Sequence, residues 1–148
     1  MSRQIEPHRL DLVNYPFHWE VYPTFGDSDL AGHINNVALA RYYETGRTRW
    51  LLDATANPDI FRGGAFNTVV AEYRVRFIAE VNFPHQVTTA TGLGHIGNSS
   101  FSCQQALFQN GRCVGLNDAV MVVVSGGKPI KIEGELRAQM AAYLIHQP

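Results

Sequence analysis

Phe25-Gly26-Asp27-Ser28-Asp29-Leu30-Ala31-Gly32-His33-Ile34-Asn35-Asn36 packs two acids, a histidine and two asparagines into a glycine-punctuated loop, with a long amphipathic segment immediately behind it. From Val37 onward the spacing is helical. Ala40, Tyr43, Arg47, Trp50, Leu51 and Ala54 share one broad face, and Arg41, Thr45, Thr48 and Arg49 turn away from it. Asn35 or Asn36 suits the N-cap. Gly46 costs a helix interior about 1 kcal/mol against Ala, tolerable where the helix must approach a sheet closely. A helix N-terminus carries unpaired N–H groups and roughly half a positive charge. A carboxylate loop placed there can act on a carbonyl whose oxygen becomes negative.

On the N-terminal side, residues 18–25 alternate and are rich in aromatic and β-branched types, the pattern of a strand. Pro23 donates no ladder bond, which points to an edge or a bulge. Residues 1–17, with Pro7 and Pro16, form an arm expected to touch the body through Leu10, Leu12 and Val13. Beyond the helix, Asn57-Pro58 and Gly63-Gly64 bound a connection. Four runs rich in Val, Thr, Phe and Tyr follow at 67–77, 86–96, 99–109 and 112–125, divided by Asn82-Phe83-Pro84, Gly97-Asn98 and Asn110-Gly111. Such short connections make an antiparallel meander. Gly126-Gly127-Lys128-Pro129 ends the sheet, and residues 133–145 suggest a short C-terminal helix.

Asn110-Gly111 is the strongest hairpin signal and favours a type I′ turn. Regular pairing sets Gln109 opposite Arg112, Phe108 opposite Cys113 and Cys103 opposite Asp118. Phe101, Cys103, Leu107, Val114, Leu116, Val120, Val122 and Val124 then form the expected core face, on which Asp118 requires a partner, a bulge or a functional reason. The two cysteines lie on the order of 16 Å apart and on opposite faces, so both are expected to be reduced.

Strand, long helix and four antiparallel strands define an α+β fold in a single domain, 1–148, with its core at 18–125, the arm at 1–17 and a tail at 128–148. A curved antiparallel five-stranded sheet wraps one long central helix. Its outer strands are open edges that invite another copy, so a dimer or a dimer of dimers is expected.

The composition narrows the function. With 148 residues, 45% hydrophobic and 17% charged, the chain is of ordinary globular character, and its net charge of −1 gives no reason to expect nucleic acid. No apolar run approaches the ~20 residues of a membrane span, and the first residues lack the apolar stretch of a secretory signal, so a cytoplasmic location is expected. Asp27, Asp29 and His33 could be read as metal ligands, but the other histidines are scattered and no further ligands are supplied. No metal and no cofactor are expected.

The loop, with Arg41-Tyr42-Tyr43-Glu44 on the helix, Tyr73-Arg74-Val75-Arg76-Phe77 and Gly97-Asn98-Ser99-Ser100-Phe101, resembles the hotdog fold, specifically the 4-hydroxybenzoyl-CoA thioesterase-like branch of acyl-CoA thioesterases. The resemblance covers roughly residues 18–125. It implies that Asp29 is the essential carboxylate, acting as nucleophile or as general base for water. It also implies that the Asn36 backbone N–H receives the carbonyl oxygen. His33 joins these two as a base or an orienting group, and Asp27, Asn35, Tyr43 and Ser99 are expected to contact substrate. A branch of the family with a mid-helix acid would point to Glu44. Some relatives carry a basic cluster before the Ser-Phe pair that meets CoA phosphates. Here Gly97, Asn98 and Ser99 hold no cation, leaving Arg62, Arg74, Arg76 or Lys128 for that task.

Three functions follow. The first is hydrolysis of an acyl-CoA to free acid and CoA. The second is a hydratase or dehydratase of the same fold, acting on acyl-CoA or acyl-carrier protein, whose sites pair a histidine with an acid across the dimer; His33 and Glu44 are the available pair. The third is a non-catalytic acyl-CoA binding module. Tyr43, Trp50, Phe61 and Phe66 are the side chains expected to set the length of the acyl tunnel.

Overall fold

The computed structural model describes residues 4–60 and 62–148; Phe61 lies outside the described residues. Strand β1 (Phe17–Val21) is followed by helix α1 (Asn36–Thr55), then by β2 (Asn67–Phe77), β3 (Val87–Ile96), β4 (Ser100–Gln109) and β5 (Arg112–Ser125). A two-residue β6 (Lys128–Pro129) and helix α2 (Gly134–Ala141) complete the chain. The antiparallel sheet has the order β1-β3-β4-β5-β2, with β6 folded back on the end of β5. This is the expected hotdog arrangement, with α1 lying in the hollow of the sheet.

Asn35 is the N-cap of α1, its side-chain oxygen accepting the Ala38 N–H at 2.9 Å. Along α1, Ala38, Leu39, Tyr42, Tyr43, Gly46, Trp50 and Leu51 are buried against the sheet. Gly46 is where the two layers come closest. A Cβ there would overlap the Thr89 methyl and lie 3.0 Å from Gln105 Nε2, which is the close approach the sequence suggested.

The β4–β5 hairpin departs from regular pairing. Gln109 faces Arg112 and Phe108 faces Cys113 as expected, but the register then shifts and Leu107 faces Gly115. One extra residue at Val114 inverts the parity of everything beyond it. Ala119, Met121 and Val123, not Val120, Val122 and Val124, therefore join the helix-side core. Gln104, not Cys103, is opposite Asp118, which lies on the outer face. Both cysteines are free and buried.

The arm covers that outer face, as expected for Leu12 but not for Leu10 and Val13. Leu10 and Val13 are exposed, while Tyr15, Leu12 and Ile5 pack on Phe108, Cys113 and Leu116. Arg9 is fully buried and donates to Asp118 Oδ1 at 2.8 Å, giving that acid its partner. Burial pushes the neighbouring Tyr15 phenol up to about 12, against the pull of Arg9.

On the inner face, α1 packs over β1, β3 and β4. Strand β2 is left as an open edge, with Val70, Tyr73 and Phe77 exposed on the side facing the hollow.

Candidate active site

Residues 28–34 fold into a small hairpin in front of α1. Ser28 bridges Ile34, the Asp29 N–H donates to the His33 carbonyl at 2.8 Å, and Gly32 turns the tip at φ +81°. The connection after β2 clamps it from the other side. The Ile34 N–H donates to the Val81 carbonyl at 2.7 Å, and His33 bridges Asn82. Gln109 fixes that connection, accepting from the Asn82 N–H and donating to the Asn82 and His85 carbonyls.

Between the hairpin, the first turn of α1 and the end of β2 lies a cavity of about 340 Å³, lined by His33, Ile34, Asn36, Leu39 and residues 77–81. Asn36 is the first helical residue, so helix geometry gives its N–H no carbonyl to bond. Asp29 does not line this cavity itself; it adjoins it through His33, whose N–H its carboxylate accepts. Its Oδ1 accepts the N–H groups of Ala31 at 2.8 Å and His33 at 3.1 Å; Oδ2 takes no hydrogen bond from the described residues, and the side chain is exposed. The loop thus fixes the carboxylate through one oxygen and leaves the other open. His33 Nε2 meets Glu80 Oε2 at 3.0 Å. Glu80 is largely exposed, so this contact orients the ring more than it stabilises the fold.

The neighbouring Asp27 has a different job. It is 8% exposed, and its oxygens accept from the Tyr42 hydroxyl at 2.7 Å, Arg41 Nη2 at 2.9 Å and the Thr24 N–H at 3.0 Å. Burial alone would raise its pKa. The Tyr42 and Thr24 hydrogen bonds and the Arg41 charge outweigh that and hold the carboxyl below the usual range. Asp27 is a clamp between loop and helix, both of its side-chain oxygens engaged by described residues. Asn35 likewise spends its side-chain oxygen on the cap.

Two further expected contacts lie elsewhere. Tyr43 is buried in the core, with its hydroxyl close to Gly115, and does not line this cavity. Ser99 sits in the β3–β4 turn, where its carbonyl accepts the Val123 N–H. That turn is beside Phe101, which packs on the C-terminal half of α1, far from Asn36. Glu44 does not approach His33; it lines a second cavity, of about 260 Å³, between α1 and β2 with Arg47, Thr48, Trp50 and Asn67.

Sequence reasoning missed Glu80 and the whole 78–81 wall, because that connection carries no motif. It also missed Arg137. This α2 residue donates to the carbonyls of Ile96 at 3.1 Å and Gly97 at 3.0 Å, so a cation does stand at the β3–β4 turn, delivered from 40 residues downstream.

The Thioesterase-like superfamily profile matches residues 23–140, most of the chain and all of this site. The chain belongs to the thioesterase-like superfamily. Its enzyme class is therefore thioester hydrolase. Solved structures agree with this thioesterase-like assignment. A Pseudomonas aeruginosa strain PAO1 protein superposes with a TM-score of 0.82 at 26% identity, covering 92% of this chain and 96% of that one. A thioesterase from Thermus thermophilus, solved with coenzyme A and zinc, gives 0.78 at 26% identity over 88% and 95%. A predicted thioesterase from Bacillus stearothermophilus gives 0.79 at 25% identity over 89% and 98%. No curated protein is detectably similar in sequence. Among the described residues, no three His, Cys, Asp or Glu side chains gather as metal ligands, and no helix is long and apolar enough to cross a membrane.

Proposed function

We propose that this protein hydrolyses acyl-CoA thioesters at the N-terminus of α1, with Asp29 as the reacting carboxylate. The observation that carries the reading is the head of α1: Asn36, whose N–H helix geometry leaves without a carbonyl, lines the 340 Å³ cavity with His33, and Asp29, bonded to the His33 N–H through Oδ1, keeps Oδ2 open. The thioester carbonyl oxygen accepts from Asn36, where the helix end favours the charge that develops. Asp29 then either takes a proton from an attacking water or adds to the carbonyl itself. In the second case the thiolate leaves, and water hydrolyses the resulting anhydride. Either route consumes one water and yields a carboxylic acid and CoA. A thiolate leaves readily, so the absence of a strong acid near the sulfur is no obstacle. His33, held by Glu80, orients the carbonyl and the loop. Arg137 is a candidate for CoA phosphate at the β3–β4 turn, alongside the Arg62, Arg74, Arg76 and Lys128 named from the sequence.

The working unit in this reading is a homodimer, or a dimer of dimers, in the cytoplasm. Strand β2 is an 11-residue open edge carrying Val70, Tyr73 and Phe77 partly exposed on its inner face, with the Arg47 guanidinium of α1 over the Tyr73 ring. Antiparallel pairing of two β2 edges sets the Phe77 end of one protomer beside the Asn67 end of the other. The helix-terminus cavity of each chain then adjoins the α1–β2 cavity of its partner.

The hydratase reading pairs His33 with Glu44 across the dimer; within one protomer they line different cavities, and the β2 pairing proposed above sets those two cavities side by side, so product analysis separates the two readings. Thiol release from a panel of acyl-CoAs, with double-bond absorbance followed in parallel, tests the proposal. Free thiol formed by the wild type and lost in Asp29→Asn supports it. A tightly bound acyl-CoA that persists for hours would instead make the protein a binding module.

A further inference from the structure

We propose that the cavity between α1 and β2 selects acyl groups that end in a carboxylate, received by Arg47. This rests on the thioesterase reading above and names its substrate class. The cavity floor is apolar, made by Trp50, Leu51, Phe101 and Met121, and its wall carries Arg47. Arg47 as a whole is only 9% exposed. Its partners among the described residues are neutral: Nη1 donates to Gln105 Oε1 at 3.0 Å and to Asn117 Oδ1 at 3.1 Å, and the Tyr73 ring lies 5.2 Å from Cζ. The acid across the sheet, Asp118, is already engaged by Arg9 at 2.8 Å and Arg76 at 3.8 Å.

A buried guanidinium offers five donors, and an uncompensated buried charge is costly unless something pairs with it. A buried guanidinium above an apolar floor suits a short methylene chain with an anionic end, and it matches a carboxylate in two-point geometry. The opposing charge is Glu44, at the exposed mouth of the cavity, where solvent and salt screen it.

The cavity, about 260 Å³, is small for a ligand site, so the group is short. Arg47 lies eleven residues beyond Asn36, roughly 17 Å along the helix, out of reach of a short acyl chain in one protomer. In the β2-paired dimer, a carbonyl at Asn36 directs its acyl group toward the partner's Arg47.

The test compares adipyl-CoA with hexanoyl-CoA, equal in carbon number, and with 4-hydroxybenzoyl-CoA. The wild type should favour adipyl-CoA in kcat/KM by at least about tenfold. Arg47→Gln should bring the adipyl/hexanoyl ratio close to one, and Arg47→Lys, which keeps the charge but loses the two-point fit, should lower it by a smaller factor. Glu44→Gln should raise it. Should Arg47→Gln fail to fold, Arg47→Lys and Glu44→Gln still read the ratio. Hexanoyl- or 4-hydroxybenzoyl-CoA turned over as well as adipyl-CoA, or a ratio unmoved in every folded variant, overturns the inference. If no thioester is cleaved, the hydrolase reading fails. Calorimetry of the same ligands then decides this one alone: equal affinities refute it, and tighter adipyl-CoA binding that Arg47→Lys weakens upholds it.

Discussion

The Tyr42 hydroxyl donates to Asp27 Oδ2 at 2.7 Å, pinning the loop that carries Asp29 to the second turn of α1. This bond is buried and charge-assisted, so Tyr42→Phe should lower unfolding stability by roughly 1–3 kcal/mol, measured by urea denaturation near neutral pH. The reacting loop should loosen as well, visible as faster amide exchange at Ser28 to His33.

The same carboxylate sets an acid limit. Asp27 has a folded pKa below its ordinary 3.8, so the unfolded chain binds its proton more readily than the native one. Its contribution is fully present above about pH 4 and disappears as pH falls through the depressed folded value. Denaturation midpoints measured at stepped pH should therefore fall more shallowly with acid in Asp27→Asn than in wild type, from a lower starting stability. Parallel curves would remove Asp27 as an acid-sensitive clamp.

Asp29→Asn should leave the fold intact, because the amide oxygen can still accept from Ala31 and His33 N–H. Turnover should drop by on the order of 10²–10⁴-fold, the usual worth of a positioned acid–base group. Near-wild-type thiol release from the variant would exclude Asp29 as the reacting group.

Gly46→Ala isolates the closest contact between helix and sheet. Helix propensity favours Ala by about 1 kcal/mol. Overlap of the new methyl with Thr89 costs about 1–3 kcal/mol, and Gln105 Nε2 behind it leaves little room to yield. A net loss of stability is expected, and Thr89→Ser in the same chain should recover part of it. Stabilisation by Gly46→Ala alone would contradict the packing described.

Charge on the open edge probes assembly. Tyr73→Glu places a carboxylate in the apolar stripe of β2, and sedimentation should show protomers where the wild type shows dimers. Hydrolysis should fall in proportion to the dimer lost. An unchanged sedimentation profile with a monomeric wild type would remove the dimer from the mechanism.

The sequence by itself determined the order and kind of the elements. Period-2 and period-3.6 patterns, the Asn35 cap and the Asn110-Gly111 turn act within a few residues of themselves, so they are readable without the fold. It also determined the grouping of Asp29, His33 and Asn36 at one helix end, since all three belong to one short loop. Tertiary structure alone decided which face of β5 is core, because the extra residue at Val114 inverts parity and no local propensity announces it. It decided that Asp27 is a clamp while Asp29 keeps an open oxygen, a choice made by Tyr42 and Arg41 more than ten residues away. Glu80 beside His33, Arg9 beneath Asp118 and Arg137 at the β3–β4 turn were decided in the same way. Each is a pairing across long stretches of chain, set by packing and charge compensation that exist only once the sheet has closed around the helix.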